Sequence, residues 1–141
     1  MTDSDSTPKP AVRTSDTVEL TVPADSAYVS LLRTVTASLA ARRDFTIEDI
    51  DDLRIAVDEA SALLLPHAAP GSQLSASFSG TSTSLLVAVS VAAHSPTTVQ
   101  AIDQTSFAWM VLAALADEVS TGLVDGRLKV TLSKSRDTRV L

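Results

Sequence analysis

The dipeptide Asp125-Gly126 stands between two short segments rich in apolar and β-branched residues, 119–123 and 128–132. An Asp-Gly pair in this setting is the strongest short-range signal for a β-hairpin, because both residues accept the positive φ of a tight turn. The two segments are therefore predicted to be neighbouring antiparallel strands. A fold with this hairpin is not a strict alternation of strands and helices, which favours a two-layer α/β sandwich with its helices on one face of the sheet.

Three more strands are predicted before this hairpin. Apolar and polar residues alternate over residues 18–22, and Pro23 ends the segment. Residues 74–78 alternate in the same way, and residues 85–91 form an apolar run that is long enough for a central strand. The connection at residues 80–84 indicates that these last two strands form a second hairpin.

Two amphipathic helices are predicted between the first strand and the second. Asp25 can cap the first helix, and Thr46 followed by Asp49 resembles a capping box at the start of the second. Pro66 ends the second helix. The predicted buried positions are Tyr28, Leu31, Leu32, Val35 and Leu39 on the first helix and Ile50, Leu53, Val57, Ala60 and Leu64 on the second.

A third helix is predicted from Ser106 or Thr105, either of which can cap it, to about Ala116. This helix is apolar nearly all round, so we expect it to be buried or to lie at an interface. The segment that precedes it, residues 92–104, is predicted to be irregular.

Length and composition fit one domain at residues 16–135, between a disordered tail at 1–15 and a short tail at 136–141. The chain contains no cysteine, so a disulfide or a cysteine-ligated metal site is excluded. No apolar run is long enough to cross a bilayer, and the N-terminal residues lack the apolar core of a signal peptide. We therefore expect a cytoplasmic protein that does not enter the membrane.

The charge pattern argues against binding to nucleic acid. The net charge is −6, whereas non-specific affinity for nucleic acid depends on a basic patch. Lys and Arg are absent from residues 55–126, and the acidic residues there are Asp58, Glu59, Asp103, Asp117, Glu118 and Asp125. A site for a polyphosphate in this stretch would depend on main-chain amides, a metal ion or a distant arginine.

Residues 51–60, Asp-Asp-Leu-Arg-Ile-Ala-Val-Asp-Glu-Ala, resemble the segment that leads into the N-box of the GHKL ATPase superfamily. Within it they are most similar to the RsbW-type branch of anti-sigma factors and serine kinases. The resemblance extends over residues 18–134, and the stretch 106–119 looks most like actinobacterial members, including mycobacterial regulators of a stress sigma factor. It implies the GHKL type of two-layer α/β sandwich, with a mixed sheet and helices on one face.

The family N-box reads Glu-Ala-x-x-Asn, where the Glu activates the nucleophile for phosphoryl transfer and the Asn holds the magnesium ion. The resemblance places Glu59 at the Glu position and Leu63 at the Asn position. Positions i and i+4 share a helix face, but leucine offers Mg²⁺ no oxygen ligand. Glu59 is thus the candidate for a vestigial catalytic residue, with an ordinary solvated carboxylate as the favoured alternative. No metal site is expected at Leu63.

Two further nucleotide-binding boxes depart from the family pattern. Where the family has Asp-x-Gly-x-Gly to read adenine, residues 90–95 contain neither Asp nor Gly. Where it has a Gly-Leu-Gly-Leu turn against phosphate, residues 106–109 are Ser-Phe-Ala-Trp. We therefore expect weak or absent nucleotide binding and no cofactor. The side chains expected to fill the former pocket are Leu63, Val91, Phe107 and Trp109.

Arg33 is the candidate for partner binding. In this branch an arginine near this point of the first helix contacts the sigma factor and the antagonist in turn, and its planar fork suits carboxylates. An ordinary surface arginine is the alternative. The resemblance implies an anti-sigma factor that sequesters an alternative sigma factor, is released by a STAS-type anti-anti-sigma antagonist and forms homodimers.

The sequence is also compatible with other functions. The first alternative is an active serine kinase that uses ATP and Mg²⁺ to phosphorylate its antagonist, and another is a ligand-sensing domain. His67 and His94 are far apart in the sequence and have no cluster of other ligands, so a zinc site is not expected.

Overall fold

The computed structural model describes residues 16–94 and 102–136. The predicted tail at 1–15, residues 95–101 of the predicted irregular segment, and residues 137–141 lie outside the described part. The strands are β1 (Val18–Pro23), β2 (Gln73–Gly80), β3 (Ser84–Ala92), β4 (Glu118–Val124) and β5 (Arg127–Ser135). The helices are α1 (Val29–Arg42), α2 (Ile47–Leu64) and α3 (Phe107–Leu115), with short 3-10 turns at Ser26–Tyr28 and Leu65–His67.

The five strands form one sheet in the order β1-β2-β3-β5-β4, and every neighbouring pair is antiparallel. The α/β class is confirmed, but the expectation of a mixed sheet is wrong for the described residues. Two helices separate β1 from β2, so the chain returns in the opposite direction. One helix separates β3 from β4, but β5 is inserted between them and runs against both.

One face of the sheet is buried beneath the helices, and α2 lies over β3 and β5. Alternating strand residues point into this core: Val22, Leu74, Ala76, Phe78, Leu85, Val87, Val89, Val91, Leu128, Val130 and Leu132. The opposite face carries small polar residues such as Thr21, Ser75, Ser77 and Thr131. The predicted arrangement, with helices on one face, is confirmed.

The prediction for α1 is confirmed in part, since Leu32 is buried and Val35 and Leu39 are partly buried against the core. Tyr28 and Leu31 are exposed, and the buried residues are Val29, Leu32, Thr36 and Ala40. The stripe that packs against the rest of the protein thus contains small residues, which let α1 lie close to α2. Periodicity in large apolar residues alone did not show this, because Thr36 satisfies its hydroxyl within the helix, on the carbonyl of Leu32 at 2.6 Å.

The prediction for α2 is largely confirmed. Thr46 caps the helix, accepting a hydrogen bond from the amide of Asp49 at 3.1 Å. Leu53, Val57, Ala60 and Leu64 are buried as expected, and Ile50 is partly buried. This helix is therefore the central element of the helical layer, with α1 on one side and α3 on the other.

Arg43 and Arg136 attach the end of α1 to the β2–β3 hairpin. The Arg43 guanidinium donates to the carbonyls of Thr81 and Ser84, both at 2.9 Å. The main-chain amide of Arg136 donates to Thr83 O at 2.7 Å, and its side chain reaches Arg43 O at 3.3 Å. These bonds satisfy carbonyl groups at a helix end and a turn, so both arginines have a structural role here.

Candidate functional site

The two sides of α2 face different neighbours. Asp58 bonds to Arg33 of α1, so this side of α2 faces α1. On the other side, Lys134 Nζ donates to the carbonyl of Leu115 at the end of α3, at 3.2 Å, and lies 3.8 Å from Asp49 Oδ1. The end of α3 is therefore beside the beginning of α2, and the two packed helices run in opposite directions.

Glu59 and Leu63, the positions that the resemblance matches to the Glu and Asn of the N-box, lie on the side of α2 that faces α3. Glu59 is two turns beyond Asp52, which is 4.0 Å from Lys134, and Leu63 follows one turn later on the same side. Glu59 is partly exposed and makes no hydrogen bond or ion pair within the described residues. Leu63 packs against the core. As predicted, Glu59 and Leu63 lie one turn apart on the same side of α2, and the side chain of Leu63 offers no oxygen ligand beside the Glu59 carboxylate.

The end of β3 is occupied by main-chain hydrogen bonds. The amide of Ala93 donates to Gly126 O at 3.0 Å, and the amide of Ala69 donates to Ala92 O at 2.8 Å. The sequence has no Asp or Glu at all between Glu59 and Asp103. Residues 60–102, which include the end of β3, therefore contribute no carboxylate that could read an adenine amino group.

His67 and His94 meet at the same place. The main-chain amide of His94 donates to the carbonyl of His67 at 2.7 Å, so residues far apart in the sequence are neighbours in the fold. Their main chains meet because the end of β3 folds back onto the turn after α2. Residues 16–94 and 102–136 contain no group of three or more His, Cys, Asp or Glu side chains that could hold a metal ion.

The beginning of α3 offers a poor phosphate site. Ser106 caps the helix, and its hydroxyl accepts the amide of Trp109 at 3.2 Å, so this amide is not free for an anion. Phe107 is 80 % exposed, so the expectation that it fills the former pocket is wrong. Trp109 is partly buried against the core. Val91 is fully buried, as that expectation requires.

The exposed side of α3 is apolar. Phe107 and Met110 are exposed, and Leu112 is the one fully buried residue of the helix. The sequence predicted a helix that is buried or at an interface, and within the described part of the chain it is not buried.

In the turn before α3, hydrogen bonds from the hydroxyl and the amide of Thr105 lower the pKa of the Asp103 carboxyl, which is solvent-exposed.

Arg33 lies at the seam between α1 and α2. Its Nη1 donates to Asp58 Oδ1 at 2.7 Å, and the two side chains are 36 % and 39 % exposed. The arginine therefore remains accessible to a partner, while its direction is set by a carboxylate from the next helix. In the sequence Asp58 stands out only as one of the acidic residues between 55 and 126. No sequence signal joins it to Arg33, since 25 positions separate them.

Comparison with known proteins identifies the family. A model of the histidine kinase-like ATPase domain matches residues 22–134. Over 127 residues the chain is 35 % identical to the anti-sigma-F factor RsbW of Mycobacterium tuberculosis, a match that covers 90 % of this chain and 73 % of the relative. The chain belongs to the RsbW-type branch of the histidine kinase-like ATPase family.

Other members of this RsbW-type branch match more locally. The chain is 39 % identical to the serine-protein kinase RsbW of Bacillus subtilis over 54 residues, which is 38 % of this chain and 34 % of that protein. A crystal structure of the RsbU and RsbW domains of a Mycobacterium tuberculosis protein shares the fold, with a TM-score of 0.64 and 17 % identity. That match covers 89 % of this chain, which spans about a third of the longer chain.

No helix in the described ranges has both the length and the apolar character that crossing a membrane would require.

Proposed function

We propose that this chain is an anti-sigma factor. It binds and sequesters an alternative sigma factor of the stress-response or sporulation type in the cytoplasm. A STAS-type anti-anti-sigma antagonist releases the sigma factor by competing for the same protein, which acts as a homodimer. The observation that supports this most directly is the relationship to the anti-sigma-F factor RsbW, because it extends over nearly the whole chain.

In this proposal regulation depends on binding between proteins and requires no kinase step. Leu63 stands where Mg²⁺ would need an oxygen, and the end of β3 supplies no carboxylate for adenine. The cap of α3 uses an amide that a phosphate would otherwise need. Each of these features alone weakens a nucleotide site, and together they affect the metal, the base and the phosphates. The chain is therefore a pseudokinase that retains the family scaffold and needs no cofactor.

The alternative function is an active ATP-dependent serine kinase. Glu59 supports it, because this carboxylate is partly exposed on the side of α2 that faces α3 and is free of ion pairs within the described residues. A general base needs such accessibility to reach a substrate hydroxyl. In this case Mg-ATP would be the cofactor and the antagonist would be the substrate.

Calorimetric titration with Mg-ATP and Mg-ADP separates the two functions. We expect no saturable heat with the purified chain at high concentration. In parallel, phosphate transfer from labelled ATP to STAS-domain proteins of the same genome should be undetectable, both with the wild-type chain and with Glu59→Ala. Saturable binding together with transfer that Glu59→Ala abolishes would establish the kinase.

The anti-sigma function itself is tested with the purified sigma factors encoded by the same genome. Each is immobilised and titrated with the wild-type chain, and binding to one alternative sigma factor, reversed by a STAS-domain protein, is the expected result. If none of them binds, the proposal is wrong whatever the nucleotide titration shows.

A further inference from the structure

The geometry points to Asp58 as a positioning residue that fixes the Arg33 guanidinium for a carboxylate of the protein partner. This inference rests on the proposed function, since it assigns Arg33 to the partner-binding surface, and it adds a residue from the neighbouring helix. We propose that Asp58 acts only through Arg33 and does not itself touch the partner.

The Arg33 guanidinium is bonded on only one edge among the described residues. Asp58 accepts a single hydrogen bond from Nη1 of Arg33, at 2.7 Å. Within residues 16–94 and 102–136, neither Nε nor Nη2 of Arg33 is bonded to any group. A guanidinium presents donors on more than one edge, and the edge formed by Nε and Nη2 suits bidentate pairing with a carboxylate. One edge is therefore held inside the protein while another stays available.

The ion pair between Arg33 and Asp58 is accessible to solvent. Both side chains are between a third and two fifths exposed, so water reaches the ion pair from outside. Ion pairs that are this accessible contribute little to folding stability. The pair with Asp58 nevertheless restricts the rotamers of Arg33, a long and flexible side chain at the surface. Binding then loses less conformational entropy, because the side chain is already ordered.

Asp58 and Glu59 are adjacent in the sequence but lie on different sides of α2. Asp58 lies on the side that faces α1, whereas Glu59 lies on the side that faces α3. Asp58 can therefore orient a residue of α1 without touching the former nucleotide cleft. Helix α1 contains no acidic residue of its own, and the acids nearest to it in the sequence, Asp25 and Asp44, lie before and after the helix.

The test uses the sigma factor that binds the wild-type chain in the screen described above, titrated with single and double variants. Asp58→Ala should weaken binding roughly fivefold, because Arg33 is left disordered. Asp58→Asn keeps an oxygen that accepts from Nη1, so it should restore affinity to within roughly twofold of the wild type. In the Arg33→Ala background, Asp58→Ala should have no further effect.

The matched control is Asp51→Ala. Asp51 also pairs with an arginine, Arg54, at 3.4 Å on the exposed surface of α2. Removing it eliminates a surface ion pair of the same kind, two helical turns before Asp58, and should leave sigma binding unchanged. Any general effect of deleting a surface carboxylate would appear in both variants equally.

A second measurement follows the arginine directly. In the nitrogen–proton correlation spectrum of the free protein, the Nε–H signal of Arg33 should be sharp and become broadened by exchange in Asp58→Ala. It should stay sharp in Asp58→Asn. A purely structural role for Asp58 would lower the thermal midpoint of unfolding without this pattern of loss and rescue.

Specific outcomes overturn the inference. If Asp58→Ala binds as tightly as the wild type, or more tightly, Asp58 does not help Arg33 and instead is neutral or masks it. If Asp58→Ala adds a loss in the Arg33→Ala background, Asp58 meets the partner itself. Both results leave the anti-sigma function intact, whereas a wild-type chain that binds no sigma factor removes the proposed function and this inference together.

Discussion

The two sides of α2 differ in what they have retained. The side that faces α1 carries Asp58, which joins Arg33 in an accessible ion pair. The side that faces α3 carries Glu59, still a carboxylate, and Leu63, which supplies no ligand for a metal. Because neighbouring positions of a helix point in different directions, one side can lose its chemistry without disturbing the other. Under the proposed function, a histidine kinase-like ATPase scaffold carries a protein-binding residue on one side of α2 and no magnesium ligand at Leu63 on the other.

The largest expected effect is on the α3 side and concerns stability. Lys134 is 13 % exposed and connects the end of α3 with Asp49 and Asp52 at the beginning of α2. Lys134→Met leaves these carboxylates and the carbonyl of Leu115 without their shared partner. We expect the free energy of unfolding to fall by about 1.5–3 kcal/mol, as for hydrogen bonds to charged groups. Urea denaturation measures it.

Lys129→Met is the matched control for this variant. Lys129 lies in the same strand, on the open face of the sheet, and its side chain makes no hydrogen bond or ion pair in the described part of the chain. Its replacement should change the unfolding free energy by no more than about 0.5 kcal/mol. Equal effects of the two substitutions would show that the α3 side is not held by Lys134.

The next effect is on the α1 side and concerns binding. Arg33→Ala should weaken sigma-factor binding roughly tenfold or more, as expected for an arginine anchor at an interface. Its unfolding free energy should change by less than about 1 kcal/mol, because the pair with Asp58 is accessible to water. Surface plasmon resonance and urea denaturation of the same samples give both values.

Two other substitutions sharpen this comparison between the sides of α2. Arg54→Ala removes an exposed arginine from the surface of α2, and Glu59→Ala removes the carboxylate on the α3 side. Both should bind the sigma factor as the wild type does. If Glu59→Ala weakens binding as much as Arg33→Ala, the two sides of α2 form one binding surface and the distinction between them is wrong.

The sequence predicted those parts of the fold that local patterns specify. The hairpin at Asp125-Gly126 and the cap at Thr46 depend on neighbours in the chain, and both are confirmed. The buried side of α1 depends on which helix packs against it. Tyr28 and Leu31 were therefore predicted to be buried and are exposed, while Thr36 is buried.

The site was less predictable for the same reason. Glu59 and Leu63 are one helical turn apart, so their common direction follows from the sequence. The pairing of Arg33 with Asp58 and the meeting of His67 with His94 both depend on how distant segments fold together. Phe107 was predicted to fill a pocket because it is large and apolar, yet its position at the first turn of α3 turns it to solvent.

A smaller effect tests how well α1 and α2 fit each other. Ser61 is fully buried, and its hydroxyl has no hydrogen-bond partner among the described residues. It lies one turn after Asp58, so it is on the side that faces α1. Ser61→Ala removes an unsatisfied polar group and should raise the unfolding free energy by about 1 kcal/mol. Thr36→Ala should lower the unfolding free energy, because it removes a hydroxyl that donates a hydrogen bond to Leu32 O. If Ser61→Ala destabilises the protein, the hydroxyl has a partner.

The smallest effect concerns the entrance to α3. Thr105 lowers the pKa of Asp103 through hydrogen bonds from its hydroxyl and its amide, at 2.6 and 2.8 Å. A lowered folded-state pKa means that the contribution to stability is present above the unfolded pKa and is lost as the pH falls through the folded value. A carbon-detected titration of the carboxyl should show Asp103 ionising at lower pH than an ordinary aspartate. Thr105→Val removes the hydroxyl and should raise the pKa of Asp103 part of the way to the ordinary value, because the hydrogen bond from the main-chain amide of residue 105 remains. An unchanged pKa in Thr105→Val would mean that the turn before α3 is not ordered by this contact.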